Sequence, residues 1–85
     1  MPITLHRIEP ARNMRRFYRL DVQQDLFGTW DVIREWGRIG RAGRVRVDPY
    51  PTEEEAAAWM QRQRAAKQGR GYQPAPAKAG MPIAA

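Results

Sequence analysis

Residues 30–47 read WDVIREWGRIGRAGRVRV, and the fold turns on how this stretch is divided. Trp30, Val32, Arg34, Trp36 and Arg38 recur at every second position, the period of a β-strand. Val45 and Val47 then alternate with Arg44 and Arg46, a second strand. Between them GRAG, residues 40–43, places glycines where a hairpin turn needs positive φ at little steric cost. The stretch is therefore strand, turn, strand: 29–39, 40–43 and 44–48. That division also disposes of a nucleotide-binding loop. A dinucleotide fingerprint or a P-loop requires its glycines between a strand and a helix, whereas these lie between two strands.

Working outward, RRFYRLDVQ (15–23) puts Tyr18, Leu20 and Val22 on one face and Phe17, Arg19 and Asp21 on the other. QDLFGT supplies a turn around Gly28. ITLHRIE (3–9) is a shorter strand that stops at Pro10. On the other side, PYPTEEEAAAWMQRQRAAKQGRG reads as a helix. Thr52 caps it with Glu55 three residues on, and Glu53, Glu54 and Glu55 suit the positive end of its dipole. Ala56, Trp59, Met60 and Gln63 share one stripe, Lys67 and Arg70 suit the C-terminal end, and Gly69 to Gly71 stop it. The expected fold is α+β: a small twisted antiparallel sheet of about four strands in a meander, packed by one C-terminal helix. The folded domain is expected over residues 1–72. From Gln73 to Ala85 the chain is Pro- and Ala-rich without a period, which predicts a disordered tail.

Strand parity raises a difficulty. Trp30, Val32 and Trp36 share a face with Arg34 and Arg38. Either that face passes from core to solvent along the strand, or a bulge breaks the alternation, with Gly37 the natural place for it. Trp30, beside Val32, and Trp59, on the helix stripe, are expected to pack in the core.

The chain has 85 residues, 15 Lys+Arg against 9 Asp+Glu and no Cys. It is a single small domain that hides only about 60% of its unfolded surface. Disulfides and thiolate metal sites are excluded. Ser is also absent, so the common acyl-transfer nucleophiles are missing, and His6 has no partner at a recognisable spacing. The Glu53–Glu55 triplet points in different directions around a helix and is explained by capping rather than by a metal. No catalytic residue, metal or cofactor is expected, and the chain reads as a non-enzyme. The N-terminus shows no charged region followed by an apolar run, and no stretch approaches the ~18 apolar residues of a membrane span. A cytoplasmic protein without membrane contact is the expectation.

The net charge of +6 is the most informative global property, and 13 of the 15 cations are Arg. Arg pairs phosphate oxygens bidentately and stacks on flat rings, which suits nucleic acid. GC-rich coding, which favours Arg, Ala, Gly and Pro together, accounts for part of the bias. The excess is clustered in three segments: Arg12, Arg15, Arg16 and Arg19; Arg34, Arg38, Arg41, Arg44 and Arg46; and five cations with no acid from Ala56 onward. In a meander the first two fall on neighbouring strands, forming a basic surface beside Trp36 that could track phosphates and stack a base.

FYRLDV followed by WDVIREWGRIG closely resembles the WGR domain, named for the triplet that is here Trp36, Gly37 and Arg38. The resemblance runs from Phe17 to about Gly71, and the short form ending in GRGY is similar to the bacterial branch. It implies a twisted sheet with one helix. In poly(ADP-ribose) polymerases the domain engages DNA breaks, its Trp packing on a terminal nucleotide and its Arg near the 5′ phosphate. By position those roles fall on Trp36 and Arg38, with Gly37 between them and Arg34, Arg41, Arg44 and Arg46 along the backbone. Further phosphate contacts are expected from Asn13, Arg16 and Tyr72, although Asn13 stands farther before Phe17 than the family's strand-leading Asn. There is no ADP-ribosyltransferase domain to inherit. The expected partner is DNA, at duplex ends or nicks. The alternative is an adaptor that docks another protein domain through the same Trp-Gly-Arg edge.

Overall fold

Val22 lies directly opposite Val32, and that pair sets the register of the central strands. In the computed structural model, which describes residues 2–76, four strands form the expected meander: β1 (Ile3–Glu9), β2 (Met14–Gln24), β3 (Trp30–Arg38) and β4 (Arg44–Tyr50). Each pairs antiparallel with the next. The helix α1 (Glu53–Gly69) crosses one face. A fifth strand, β5 (Gln73–Pro74), completes the order β4-β3-β2-β1-β5.

The core is the face that α1 covers. Leu5, Tyr18, Leu20 and Val32 of the sheet are buried against Ala56 and Met60 of the helix, with Tyr72 closing one end. Trp30 and Trp59 pack against this cluster as expected. Among the described residues no helix covers the opposite face, where Val45 and Val47 are 59% and 50% exposed. The β2–β3 loop is tied by Asp25, whose Oδ1 accepts from the backbone N–H groups of Phe27 (2.8 Å) and Thr29 (3.0 Å). This tied loop holds Leu26 and Phe27 out in solvent, 100% and 92% exposed.

Both ends of α1 are built by local chemistry. Thr52 Oγ1 accepts from the Glu55 N–H at 3.2 Å, satisfying one orphan donor of the first turn. At the other end Gly71 takes φ +97. The Tyr72 N–H then bonds back to the Lys67 carbonyl (3.0 Å) and the Gly71 N–H to the Gln68 carbonyl (3.1 Å). This is a Schellman closure, for which glycine at the left-handed position is the low-cost solution. It turns the chain inward, buries the Tyr72 ring edge-on to Tyr18, and delivers Gln73–Pro74 to the free edge of β1.

One expectation is corrected by these observations, and one open alternative is decided. The tail does not begin at Gln73, because residues 73–74 pair with β1 and the Ala75 N–H reaches the Thr4 carbonyl at 2.9 Å. The segment carries no period because backbone pairing, not side-chain burial, holds it, and a proline is tolerated on an edge strand. The rest of the expected tail, 77–85, lies outside the described residues. There is also no bulge at Gly37. The β2–β3 and β3–β4 registers run unbroken through Trp36, and β2–β3 continues to Arg38. The face of β3 instead passes from core to solvent because the strand outruns the helix.

Candidate nucleic-acid interface

Rows of paired residues across the sheet show how the basic surface arises. On the helix face, Arg46 lies beside Arg34 and Leu20 in one row, and Arg44 beside Trp36, Tyr18 and Leu5 in the next. The last row is Arg38, Arg16 and Arg7. The C-terminal turn of α1 lies over this end and adds Lys67, whose Nζ is 4.6 Å from the Tyr18 ring centroid. The hairpin turn adds Arg41, whose N–H bonds to the Arg38 carbonyl at 3.1 Å. Acidic residues gather at the opposite end. Glu53, Glu54 and Glu55 start the helix just after Tyr50, which pairs with Trp30, and Asp25 and Asp31 flank that strand start. Partial desolvation, and then the neighbouring Asp25 carboxylate, raise the Asp31 carboxyl above its ordinary value. The domain is thus a charge dipole along its strands.

Trp36 sits where core gives way to solvent. It is half-buried, packs partly against the core cluster, and with Tyr18, Arg34, Gln63, Lys67 and Arg70 lines an open cavity of about 260 Å³. It is therefore neither sealed under the helix nor a freely exposed ring. Gly37, the middle of the triplet, serves packing. A Cβ there would meet the Gly43 Cα at 3.0 Å and Phe17 Cε1 at 3.5 Å, so the two glycines let the hairpin close under the Phe17 ring.

The arginines divide into held and unheld groups. Arg34 is stacked 4.9 Å from the Trp59 ring and 5.8 Å from that of Trp36, and its guanidinium pairs with Asp48 at 3.2 Å. Asp48 also accepts from Arg46 Nε at 3.2 Å. Arg38 reaches across to donate to the Asn13 backbone carbonyl and to Asn13 Oδ1, both at 3.3 Å. Asn13 is therefore engaged by Arg38. Arg16, Arg41 and Arg44 are exposed and, among the described residues, carry no ion pair. Tyr72, expected to contact phosphate, has its side chain buried, because the Schellman closure drives it under the helix end.

Lys67, Arg70 and Tyr18 join this surface without having been singled out for it. Helical position 67 gave only a dipole signal, and its meeting with strand positions 16, 18 and 34 is tertiary. Among the described residues no group of three or more His, Cys, Asp or Glu could hold a metal ion, and no helix is long and apolar enough to cross a membrane.

The sequence model of the WGR domain matches residues 1–79. An uncharacterized protein, y4dW, of Sinorhizobium fredii (strain NBRC 101917 / NGR234) is 38% identical over 72 residues, which are 85% of this chain and 35% of that protein. The chain thus spans about a third of the length of this relative. No solved structure matches it. With the triplet at the end of β3, the sheet-and-helix fold around it and a match over nearly the whole chain, this protein belongs to the WGR domain family, whose members are nucleic-acid-binding modules.

Proposed function

We propose that this domain binds duplex DNA at its ends or nicks, without catalysis, through the basic end of its helix face. The observation that carries this reading is the position of Trp36. A half-buried indole forms one wall of an open cavity whose cationic neighbours are Arg34, Lys67 and Arg70, with Arg44 in the Trp36 row and Arg16 in the next, neither in an ion pair among the described residues. A half-buried indole at the boundary of the core can stack only on a nucleotide that is exposed, which a duplex interior does not offer. The charge dipole supplies orientation, since a duplex attracts the Arg16–Arg38–Arg44 end and repels the Asp25–Glu53 end. Arg41 and Arg44, without a carboxylate partner among the described residues, track the backbone, while Arg34 and Arg46 are partly neutralised by Asp48 and contribute less.

The test is a titration of a blunt linear duplex and of the same sequence closed at both ends by hairpin loops, at several salt concentrations. Preference for the open duplex is expected, with log affinity falling by about 0.9 per phosphate neutralised for each unit of log salt. Equal affinity for open and closed duplexes would remove the end-binding reading.

A protein partner is the second reading, and a different place favours it. Leu26 and Phe27 are held out in solvent by the hydrogen-bonded loop at the acidic end, away from the basic surface, so a docked partner and DNA would not compete.

A further inference from the structure

The loop between β2 and β3 is tightly built around two side chains that gain nothing from it in the folded domain. Asp25 Oδ1 accepts from the N–H groups of Phe27 (2.8 Å) and Thr29 (3.0 Å), the Asp25 N–H bonds to the Thr29 carbonyl (2.9 Å), and the Gly28 N–H bonds to the Asp25 carbonyl (3.2 Å). Gly28 takes φ +85, the left-handed conformation that closes the loop. Yet Leu26 and Phe27 are 100% and 92% exposed. A loose loop would let two large apolar side chains fold back, whereas this one holds them out. Fixing them in the free protein lowers the ordering entropy that binding must overcome. An aromatic beside an aliphatic in solvent is what the centre of a protein interface looks like, not what a fold needs.

A second apolar feature lies beside the loop. Val22, Ala57 and Met60, with Glu53 and Gln61, line an open cavity of about 180 Å³ between β2 and the first turns of α1. Leu26 is four residues beyond Val22, so the two backbones are at most ~14 Å apart. A helix of about ten residues spans that distance. Charge decides what kind of helix. Asp25 and Asp31 flank the start of β3, and Glu53, Glu54 and Glu55 open α1; among the described residues none of these carboxylates has an ion pair. Partial desolvation, and then the Asp25 carboxylate, raise the Asp31 carboxyl, a crowding that an incoming cation relieves. The same carboxylates repel DNA. They also repel a second copy of this chain, which would bring an equal set to the contact.

We propose that Leu26, Phe27 and the cavity of Val22, Ala57 and Met60 dock a basic amphipathic helix of a partner protein. Its apolar face covers the two side chains and fills the cavity, and its Lys or Arg residues meet Asp31, Glu53 and Glu54. The proposal rests on the second reading above, that a protein docks at this loop, and adds what the partner presents there.

The probe is a synthetic peptide of about 14 leucines and lysines at helical spacing, ~21 Å long as a helix, with a Leu/Glu peptide of the same pattern beside it. Each is titrated into the ¹⁵N-labelled protein as wild type, Leu26→Ser, Phe27→Ser and the double variant Glu53→Gln/Glu54→Gln, every variant being checked by thermal melting. Both serine replacements fall on exposed side chains and should fold. The Leu/Lys peptide should bind and shift the Leu26, Phe27, Glu53 and Ala57 amides. Each serine variant should weaken it roughly tenfold, the scale of one buried anchor, and the double glutamine variant severalfold. Blunt-duplex affinity should be the same in the serine variants as in wild type; a loss would put DNA on the loop and overturn the proposal. It is also overturned if the Leu/Lys peptide does not bind, shifts other residues, or binds the serine or glutamine variants as well as wild type. If the Leu/Glu peptide binds through Leu26 and Phe27 as tightly as the Leu/Lys peptide, the docking reading stands and the basic partner falls. If neither peptide touches the loop, both fall.

Discussion

A methyl group added at Gly43 would press against the Trp36 carbonyl oxygen and stand 2.8 Å from both the Trp36 carbonyl carbon and Phe17 Cζ. The Phe17 ring can swing away, but the Trp36 backbone cannot. It is held in register between Tyr18 on β2 and Arg44 on β4. The φ of Gly43 is one that any residue adopts, so the cost is steric, and alanine's lower unfolded-state entropy offsets at most ~1 kcal/mol. Overpacking against fixed backbone belongs at the upper end of the usual range, about 3 kcal/mol. At 4–8 °C per kcal/mol for a domain of this size, Gly43→Ala should lower Tm by roughly 12–24 °C. Gly37→Ala, whose Cβ meets the Gly43 Cα at 3.0 Å, can relax by a few tenths of an ångström and should cost about 1 kcal/mol. Circular-dichroism melts and urea midpoints measure both. Gly43→Ala melting within a few degrees of wild type, or Gly37→Ala proving the worse of the two, would refute the packing argument. That result would also leave the glycine of the Trp-Gly-Arg triplet free for a direct role.

Gly71→Ala should destabilise by about 1–2 kcal/mol, the cost of a left-handed non-glycine residue, whereas Gly69→Ala, with nothing within 4 Å, should stabilise by about 0.5–1 kcal/mol; the two melts separate by sign. Asp31 carries a raised carboxyl in the fold, so the folded state holds its proton more tightly and stability declines as pH rises through that raised value. Asp31→Asn should therefore raise Tm at neutral pH and change nothing below the unfolded value of 3.8, as paired melts will show. Arg34→Ala removes the Asp48 ion pair and two ring contacts and should cost about 1–2 kcal/mol. Most of that loss should persist in high salt, because stacking is not screened as an ion pair is; its disappearance in salt would assign the role to charge alone.

β2 was legible because it buries one face and alternates accordingly: Tyr18, Leu20 and Val22 read as a strand and are one; β4 was legible from its Val-Arg alternation, although none of its residues is buried. The helix was legible from Thr52, the three glutamates and the Ala56–Met60 stripe. β5 was not, since Gln73–Pro74 is held by backbone bonds to β1 that leave no side-chain pattern. The burial of Tyr72 was not legible, because it depends on one φ at Gly71, which a sequence shows only as a glycine. For the candidate site, Trp36, Arg16 and Arg44 were nameable from strand parity. The cavity was not, because Lys67 meets Tyr18 only when the helix is laid across the sheet. The pairing of Arg34 with Asp48 was likewise hidden, fourteen residues apart on adjacent strands.

Nucleic acid is predicted to meet the Trp36 end of the helix face. Backbone and indole chemical-shift mapping of the ¹⁵N-labelled protein with a blunt DNA duplex locates the contact residue by residue. Shifts are predicted at the Trp36 indole, Arg16, Arg38, Arg41, Arg44, Lys67 and Arg70, with Asp25, Asp31, Glu53 and the Val45–Val47 face unmoved. Shifts centred on Ile33, Val45 and Val47, with the Trp36 indole unchanged, would contradict it.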